Sequence, residues 1–339
     1  MAAADVIRDA VFVYNTPLPD LVASVRMVAL IPGRFMGLRV LHFGPGMKAD
    51  VFLDRHRPGA LILTKAFDHS VVELAEAAVA RGIPLITTLC DLHFSGESGH
   101  RNRRLCDLSQ AVVVQTASMA EEVTRQFGKR CAIIEEAIEY PREQPSFAPG
   151  RPLKFLWYGH STNHDTLAAG IAALAGAGLG PITVMIVSNA MPEFMDGGFP
   201  TQPKDMGFEV VPWSIMAQYS ALAWCDMVFI PSADTPDKRV KGHNRVVEAI
   251  NAGRIAITYP LPQYRELSAY SFCDADYGAS VRAALADPGR VVKKIEDGQR
   301  YIDGRFAIDA ISEKWRQLFE NLSPATFKDG LETRRPPAR

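Results

Sequence analysis

Residues 60–89 read ALILTKAFDHSVVELAEAAVARGIPLITTL. Two short runs in it, ALILT and IPLITTL, are nearly continuously apolar. Between them, Val71–Arg81 carries Val72, Leu74, Ala75 and Ala78 on one face of a helix. Continuous rather than alternating apolar strands are covered on both faces, and strands separated by helices pair in parallel. The pattern extends in both directions from this stretch. AVFVYN and LRVLHFG precede it; AVVVQ, a helix over Ser118–Phe127 and CAIIEEAI follow. After residue 150 the theme starts again with LKFLWYG, PITVMIV, FEVVPW, DMVFIP and RIAITYP. The expected class is therefore α/β, with two doubly wound parallel sheets.

The chain has 339 residues, and at roughly 150 per domain this length suits two domains. Between the halves lies Tyr140–Pro152, in which Pro141, Pro145, Pro149 and Pro152 read as a stiff linker. The expected domains are 1–148 and 149–322, the second ending in a helix over Ala307–Leu322, with a disordered tail over 323–339. Two Rossmann-like halves set a cleft between them, where strand carboxyl ends and helix N-termini face each other.

Composition excludes several classes. Apolar residues make up 47% and charged residues 22%, enough to bury a core, and 37 Lys plus Arg against 38 Asp plus Glu give a net charge of −1. Such a balance advertises no nucleic-acid partner. The five cysteines are scattered, with no CxxC pair, which fits a reducing cytoplasm without structural zinc. Asp5, Arg8 and Asp9 interrupt any apolar signal core, arguing against export. The uncharged stretch Thr166–Pro192 is broken by Gly176, Gly178, Gly180 and Pro181, so it reads as helix, turn and strand rather than a transmembrane segment. Peripheral membrane association is left open.

Candidate chemistry gathers at strand ends. After DMVFIP comes a polar loop with Lys238, Arg239, Lys241 and Arg245 around a helix start near Gly242–Asn244. Free backbone N–H groups, the positive end of a helix and flanking cations make a phosphate site. Glu248, one turn further, would then reach ribose hydroxyls. The plainer reading is a solvated basic loop with Glu248 as a surface partner of Arg245. After LKFLWYG, Gly159 permits close backbone approach, and His160 and Asn163 offer hydrogen bonds to a diphosphate or sugar. His160 and His164 are spaced for a metal, but no third ligand stands nearby, and no metal is expected. Trp213 would stack on a base or sit in the core. In the first half, Asp91 and His93 follow IPLITTL and are candidates for proton transfer at an acceptor; equally, Asp91 caps a turn and His93 packs. Cys90 beside them has no feature that lowers its pKa and is not read as a nucleophile. Arg26, in VASVRM, faces phosphate or acceptor, or is a surface residue.

These positions together resemble GT-B glycosyltransferases, especially the bacterial group similar to family 4 (group 1) enzymes. The likeness is strongest over Leu153–Glu266: WYGH-x-x-N, V-P-W, D-x-V-F-I-P, and KGHNRVVEAINAG followed by PLPQYREL. It is looser over LILTKA, GIPLITTLCDLHF and AVVVQTASMAEEV, and by order of elements it reaches residue 322. The resemblance implies a cytoplasmic enzyme using a nucleoside-diphosphate-sugar as co-substrate, without other cofactor or metal, and with retention of configuration. The donor would lie on the second half, at Gly159, His160, Asn163, Trp213, Lys238, Lys241, His243, Asn244, Arg245 and Glu248. The acceptor, a glycan, lipid-linked or protein group, would lie on the first half; Asp91 and His93 are taken as catalytic from their place after IPLITTL, since the family's histidine near the acceptor strand is not matched residue for residue.

Besides that histidine, two departures accompany the resemblance. Val240 stands where the first glutamate of the family's spaced pair belongs, eight residues before Glu248. His160-Ser-Thr-Asn163 replaces the usual Arg and Lys. The chain is then either a divergent enzyme with relocated cations or a GT-B-like nucleotide-sugar or glycan binding module without turnover. A two-lobed solute-binding protein would need a signal sequence. A Rossmann dehydrogenase would need a GxGxxG after a first strand.

Overall fold

A computed structural model describes residues 9–16, 22–66, 68–192 and 205–322. The expected tail at 323–339 lies outside them. The chain forms two compact units. Among the described residues, the first comprises those up to Glu139, Val240–Gly242 and those from Arg305 to 322; the second comprises those of Tyr140–Arg239 and His243–Gly304.

The first unit is built on β1 (Ala10–Tyr14), β2 (Arg39–His42), β3 (Ala60–Thr64), β4 (Leu85–Leu89), β5 (Ala111–Val114) and β6 (Cys131–Ile133). They form one parallel sheet in the order β2-β1-β3-β4-β5-β6. Successive side chains of a strand point to opposite faces, and β1 shows why its run is unbroken. Phe12 packs on one face with Ile62, Ile86 and Trp315, while Val11 and Val13 pack on the other with Leu61, Leu63 and Leu74. Leu74 comes from helix Ser70–Ala80, which replaces the expected 71–81 with a shift of one residue. Helix Ala117–Phe127 begins at Thr116, whose hydroxyl accepts the Met119 N–H, and ends at Gly128, with φ of 68°.

The second unit holds β7 (Leu153–Gly159), β8 (Ile182–Ser188), β9 (Met206–Pro212), β10 (Met227–Ile230), β11 (Ile255–Thr258) and β12 (Phe272–Cys273). The order β12-β11-β10-β7-β8-β9, parallel throughout, reverses between β7 and β10. Ligands of open α/β sheets bind at strand carboxyl ends beside such a reversal. Phe155, Trp157, Val184, Ile186 and Phe229 fill the core. The uncharged stretch forms helix His164–Gly176, a turn and β8. Among the described residues, no helix is long and apolar enough to cross a membrane.

The units part at 139/140 and 304/305 rather than at the expected 148/149, and the expected 322/323 boundary lies at the edge of the described residues. Residues 140–148 are no free linker. The N–H of Glu143 donates to Asn251 O at 3.0 Å, that of Ser146 to Gly253 O at 3.1 Å, and Phe147 enters the second core. At the other end, helix Ile308–Asn321 returns to the first unit. It buries Ile311, Trp315 and Phe319 there, with the Trp315 ring edge-on to Phe12 at 5.1 Å. A stripe of apolar residues at helical spacing shows that a helix is covered, not which sheet covers it.

Candidate functional site

In the second unit, Gly159 and Asn163 at the end of β7 meet Arg245 and Lys238 from the segment after β10. Gly159 closes β7, and a Cβ there would lie 3.1 Å from the Trp157 ring and 3.7 Å from Nη1 of Arg245. The bare backbone thus leaves room in front of the guanidinium. Arg245 lies in the first turn of helix Asn244–Asn251, close to the start expected near Gly242–Asn244. Its Nη1 is buried without a hydrogen-bond partner among the described residues. Its carbonyl accepts the Tyr158 hydroxyl at 3.0 Å, joining helix to strand. Burial pushes the Tyr158 hydroxyl well above its ordinary pKa, and the Glu248 carboxylate adds to the rise, so Tyr158 is a neutral donor.

Glu248 is 2% exposed, which removes the reading of a surface partner for Arg245. His243, also buried, meets Glu266 through Nε2 at 3.2 Å. Lys238, on the short helix Pro236–Arg239, donates to Oδ1 of Asn163, and Gln263 donates to the Lys238 carbonyl at 2.9 Å. Asn163 spends its own amide on the His160 carbonyl at 3.2 Å. The His160 ring is exposed, 3.2 Å from the Thr162 hydroxyl. His164 instead turns to Ser188 at 2.9 Å and to the Trp157 ring, so the two histidines do not converge. The half-buried Trp213 donates its indole N–H to Gln218 at 2.8 Å. Asn244 accepts the Arg245 N–H at 2.8 Å.

The four cations expected around the helix start do not form one group. Lys238 and Arg245 remain in the second unit near Asn163 and Gly159. The exposed Arg239 is bound by Asp234. Lys241 belongs to the first unit and pairs with Asp91. The same short segment explains Val240. Its side chain is 6% exposed among Leu89, Val112, Val114, Met119 and Val123, and its carbonyl accepts the Thr116 hydroxyl at 3.1 Å. A carboxylate there would be buried in hydrocarbon. Gly242 follows because a Cβ would overlap the Glu136 carboxylate.

In the first unit, Asp91 and His93 follow β4 and line a cavity of about 220 Å³ with Lys65, Thr88, Arg101 and Asn102. Both oxygens of Asp91 are taken by cations, Oδ2 by Lys65 and Oδ1 by Lys241. Burial alone would raise the Asp91 pKa, but the two ammonium groups outweigh it and hold the carboxyl well below its usual range. So placed, Asp91 is a poor proton acceptor and an effective clamp. The His93 ring is lowered by partial desolvation. Asp91 pulls it back up, and Lys65, Lys241 and Arg101 push it further down, which keeps a neutral imidazole at pH 7. Cys90 is raised to about 12 by burial, so it carries no thiolate. Arg26 is not a surface residue: it is 5% exposed and forked onto Glu139, with Nη2 to Oε2 at 2.9 Å.

Lys65 and Arg101 were not legible as site residues. One signal existed for Lys65, a cation directly after an apolar strand, but its partner is 26 residues away. Lys65 also has φ of 55°, a left-handed conformation that disfavours any residue with a Cβ. Among the described residues, no group of three His, Cys, Asp or Glu is placed to hold a metal ion.

No protein-family model matches the sequence, and no curated protein is similar to it. Solved structures are similar over nearly the whole chain. HepE of Anabaena in complex with UDP superposes with a TM-score of 0.66 at 15% identity, covering 93% of this chain and 99% of that one. A trehalose-6-phosphate structure from E. coli, bound with UDP-2-fluoro glucose, gives 0.65 at 10%, covering 93% and 100%. A glycosyltransferase from Rickettsia africae gives 0.64 at 10%, covering 93% and 98%. The fold is that of the GT-B glycosyltransferases.

Proposed function

We propose that the protein transfers a glycosyl group from a nucleoside-diphosphate-sugar to an acceptor, in the cytoplasm, with retention of configuration and without a bound metal ion. The observation that carries this reading is the end of β7: an unpartnered, buried guanidinium nitrogen of Arg245 in front of Gly159, in the first turn of a helix whose next turn holds the buried Glu248. Similar folds bound to UDP support a nucleotide as the occupant. In this proposal Arg245, Lys238 and the helix N-terminus hold the diphosphate and stabilise the charge that develops as it departs. Glu248 takes the ribose hydroxyls. Asp91 positions Lys65 and Lys241, and the neutral His93 receives a proton from the acceptor.

Calorimetric titration of UDP, GDP and ADP into the full chain tests the donor site. One nucleotide should bind saturably, and Arg245→Ala or Glu248→Ala should weaken it by about tenfold or more, the loss of a charge-assisted hydrogen bond worth about 1.5–3 kcal/mol. Unchanged affinity in both variants refutes the assignment.

A second reading has its own support in Val240. With an apolar side chain anchored in the first unit's core at the position of the family's first glutamate, the chain would bind a nucleotide-sugar or glycan without turning it over. Saturable binding of a UDP- or GDP-sugar with neither hydrolysis nor transfer would favour this module.

A further inference from the structure

The cavity after β4 contains a charge that the donor reading does not use. Arg101, on helix Gly96–Leu108, is 8% exposed and lines the cavity beside Lys65 and His93. Its Nη2 donates to the Ser98 hydroxyl at 3.1 Å, and its Nε is buried without a hydrogen-bond partner among the described residues. A guanidinium this far from water is ordinarily matched by a carboxylate, because an uncompensated buried charge is strongly unfavourable. The obvious carboxylate in the cavity is already spent, since Lys65 and Lys241 hold one oxygen of Asp91 each. Against the opposing effect of burial, the Asp68 carboxylate is lowered by its hydrogen bonds from Ser70 and Asn15 and in part by Arg101, but it forms no ion pair with Arg101 among the described residues. The cavity lining thus carries Lys65 and Arg101 against Asp91 alone, with a neutral His93 among the lining residues.

We infer that this cavity is an anion subsite, and that the acceptor carries a phosphate or carboxylate group which Arg101 receives. A planar fork of N–H donors suits either group, and the 220 Å³ of space holds a small charged substituent rather than a whole oligosaccharide. Lys65, paired with Asp91, also lines the cavity and adds positive potential. The inference rests on the glycosyl-transfer reading only in calling the anion part of an acceptor; the subsite itself stands on Arg101.

The test uses the full chain without donor and titrates inorganic phosphate, glucuronate and neutral glucose by calorimetry. NMR of the His93 ring is followed in parallel. Phosphate or glucuronate should bind saturably while glucose does not, and whichever binds tells the phosphate source from the carboxylate one. Binding should raise the His93 pKa in the unaltered protein, a readout that needs no variant to fold. Arg101→Gln should weaken the anion at least tenfold and Arg101→Lys less so, with UDP affinity unchanged in both. No saturable anion binding, an unmoved His93, or equal affinity in a folded Arg101→Gln overturns the inference. UDP binding without anion binding would sink this subsite alone, and anion binding without UDP binding would sink the donor reading alone.

Discussion

Asp91→Asn removes the carboxylate that holds Lys65 and Lys241, leaving Lys65 with the attraction of Glu136. The carboxylate clamps Lys65 and Lys241, and the exposures of the three side chains, 17%, 14% and 43%, set the cost. Breaking a fully buried pair costs about 3–5 kcal/mol, whereas an exposed pair contributes about 1 kcal/mol or less. Lys65 belongs near the first case and Lys241 near the second. After a discount for residual solvent, the first unit should lose about 2–4 kcal/mol, a large part of the roughly 5–15 kcal/mol that holds a domain together. Urea-dependent hydrogen exchange, read on peptides from β3 and β4, measures the first unit separately from the second. In the Asp91→Asn background, Lys65→Met should recover stability, because it removes a largely buried ammonium whose paired carboxylate is gone. The pH dependence has a definite sign. A carboxyl held below its usual range stabilises the fold at every pH above the unfolded value of about 3.9, and the gain disappears as pH falls through the folded pKa. The difference between parent and variant should therefore be flat from pH 8 to about 5 and shrink only below about 4. A loss under about 0.5 kcal/mol, the size of an ordinary surface substitution, or Lys65→Met equally costly in both backgrounds, refutes the clamp.

Three further outcomes follow from the same packing. Trp315→Ala, at a fully buried ring packed on Phe12, should cost the first unit about 3–5 kcal/mol while exchange in β7 and β8 of the second unit stays unchanged. Lys65→Gly should be more stable than Lys65→Ala by about 1 kcal/mol in urea unfolding, since only the alanine must hold a Cβ at φ of 55°. Val240→Glu, which restores the family's first glutamate, should lower stability by about 3 kcal/mol or more and add no turnover, because the side chain enters the cluster of Leu89, Val112 and Met119.

The sequence by itself determined the two parallel sheets. Runs such as ALILT and LKFLWYG are apolar on consecutive residues, and burial on both faces is the only state that satisfies them. It also determined which residues stand at the carboxyl ends of β4, β7 and β10, because a strand end fixes the loop that follows it. Glu248, one turn after the helix start at Asn244, follows from that placement. What only the tertiary structure decided is every pairing that joins distant segments. The apolar stripe of helix Ile308–Asn321 fits any sheet, and Phe12 selected it. Four cations within eight residues read as one cluster, yet Arg239 turned to Asp234 and Lys241 crossed to Asp91, 150 residues away. Charge attracts without direction or periodicity, so a cation's position in the chain does not name its partner. Arg101 was hidden for the same reason: only a folded cavity distinguishes a buried guanidinium without an ion pair among the described residues from any other arginine on a helix.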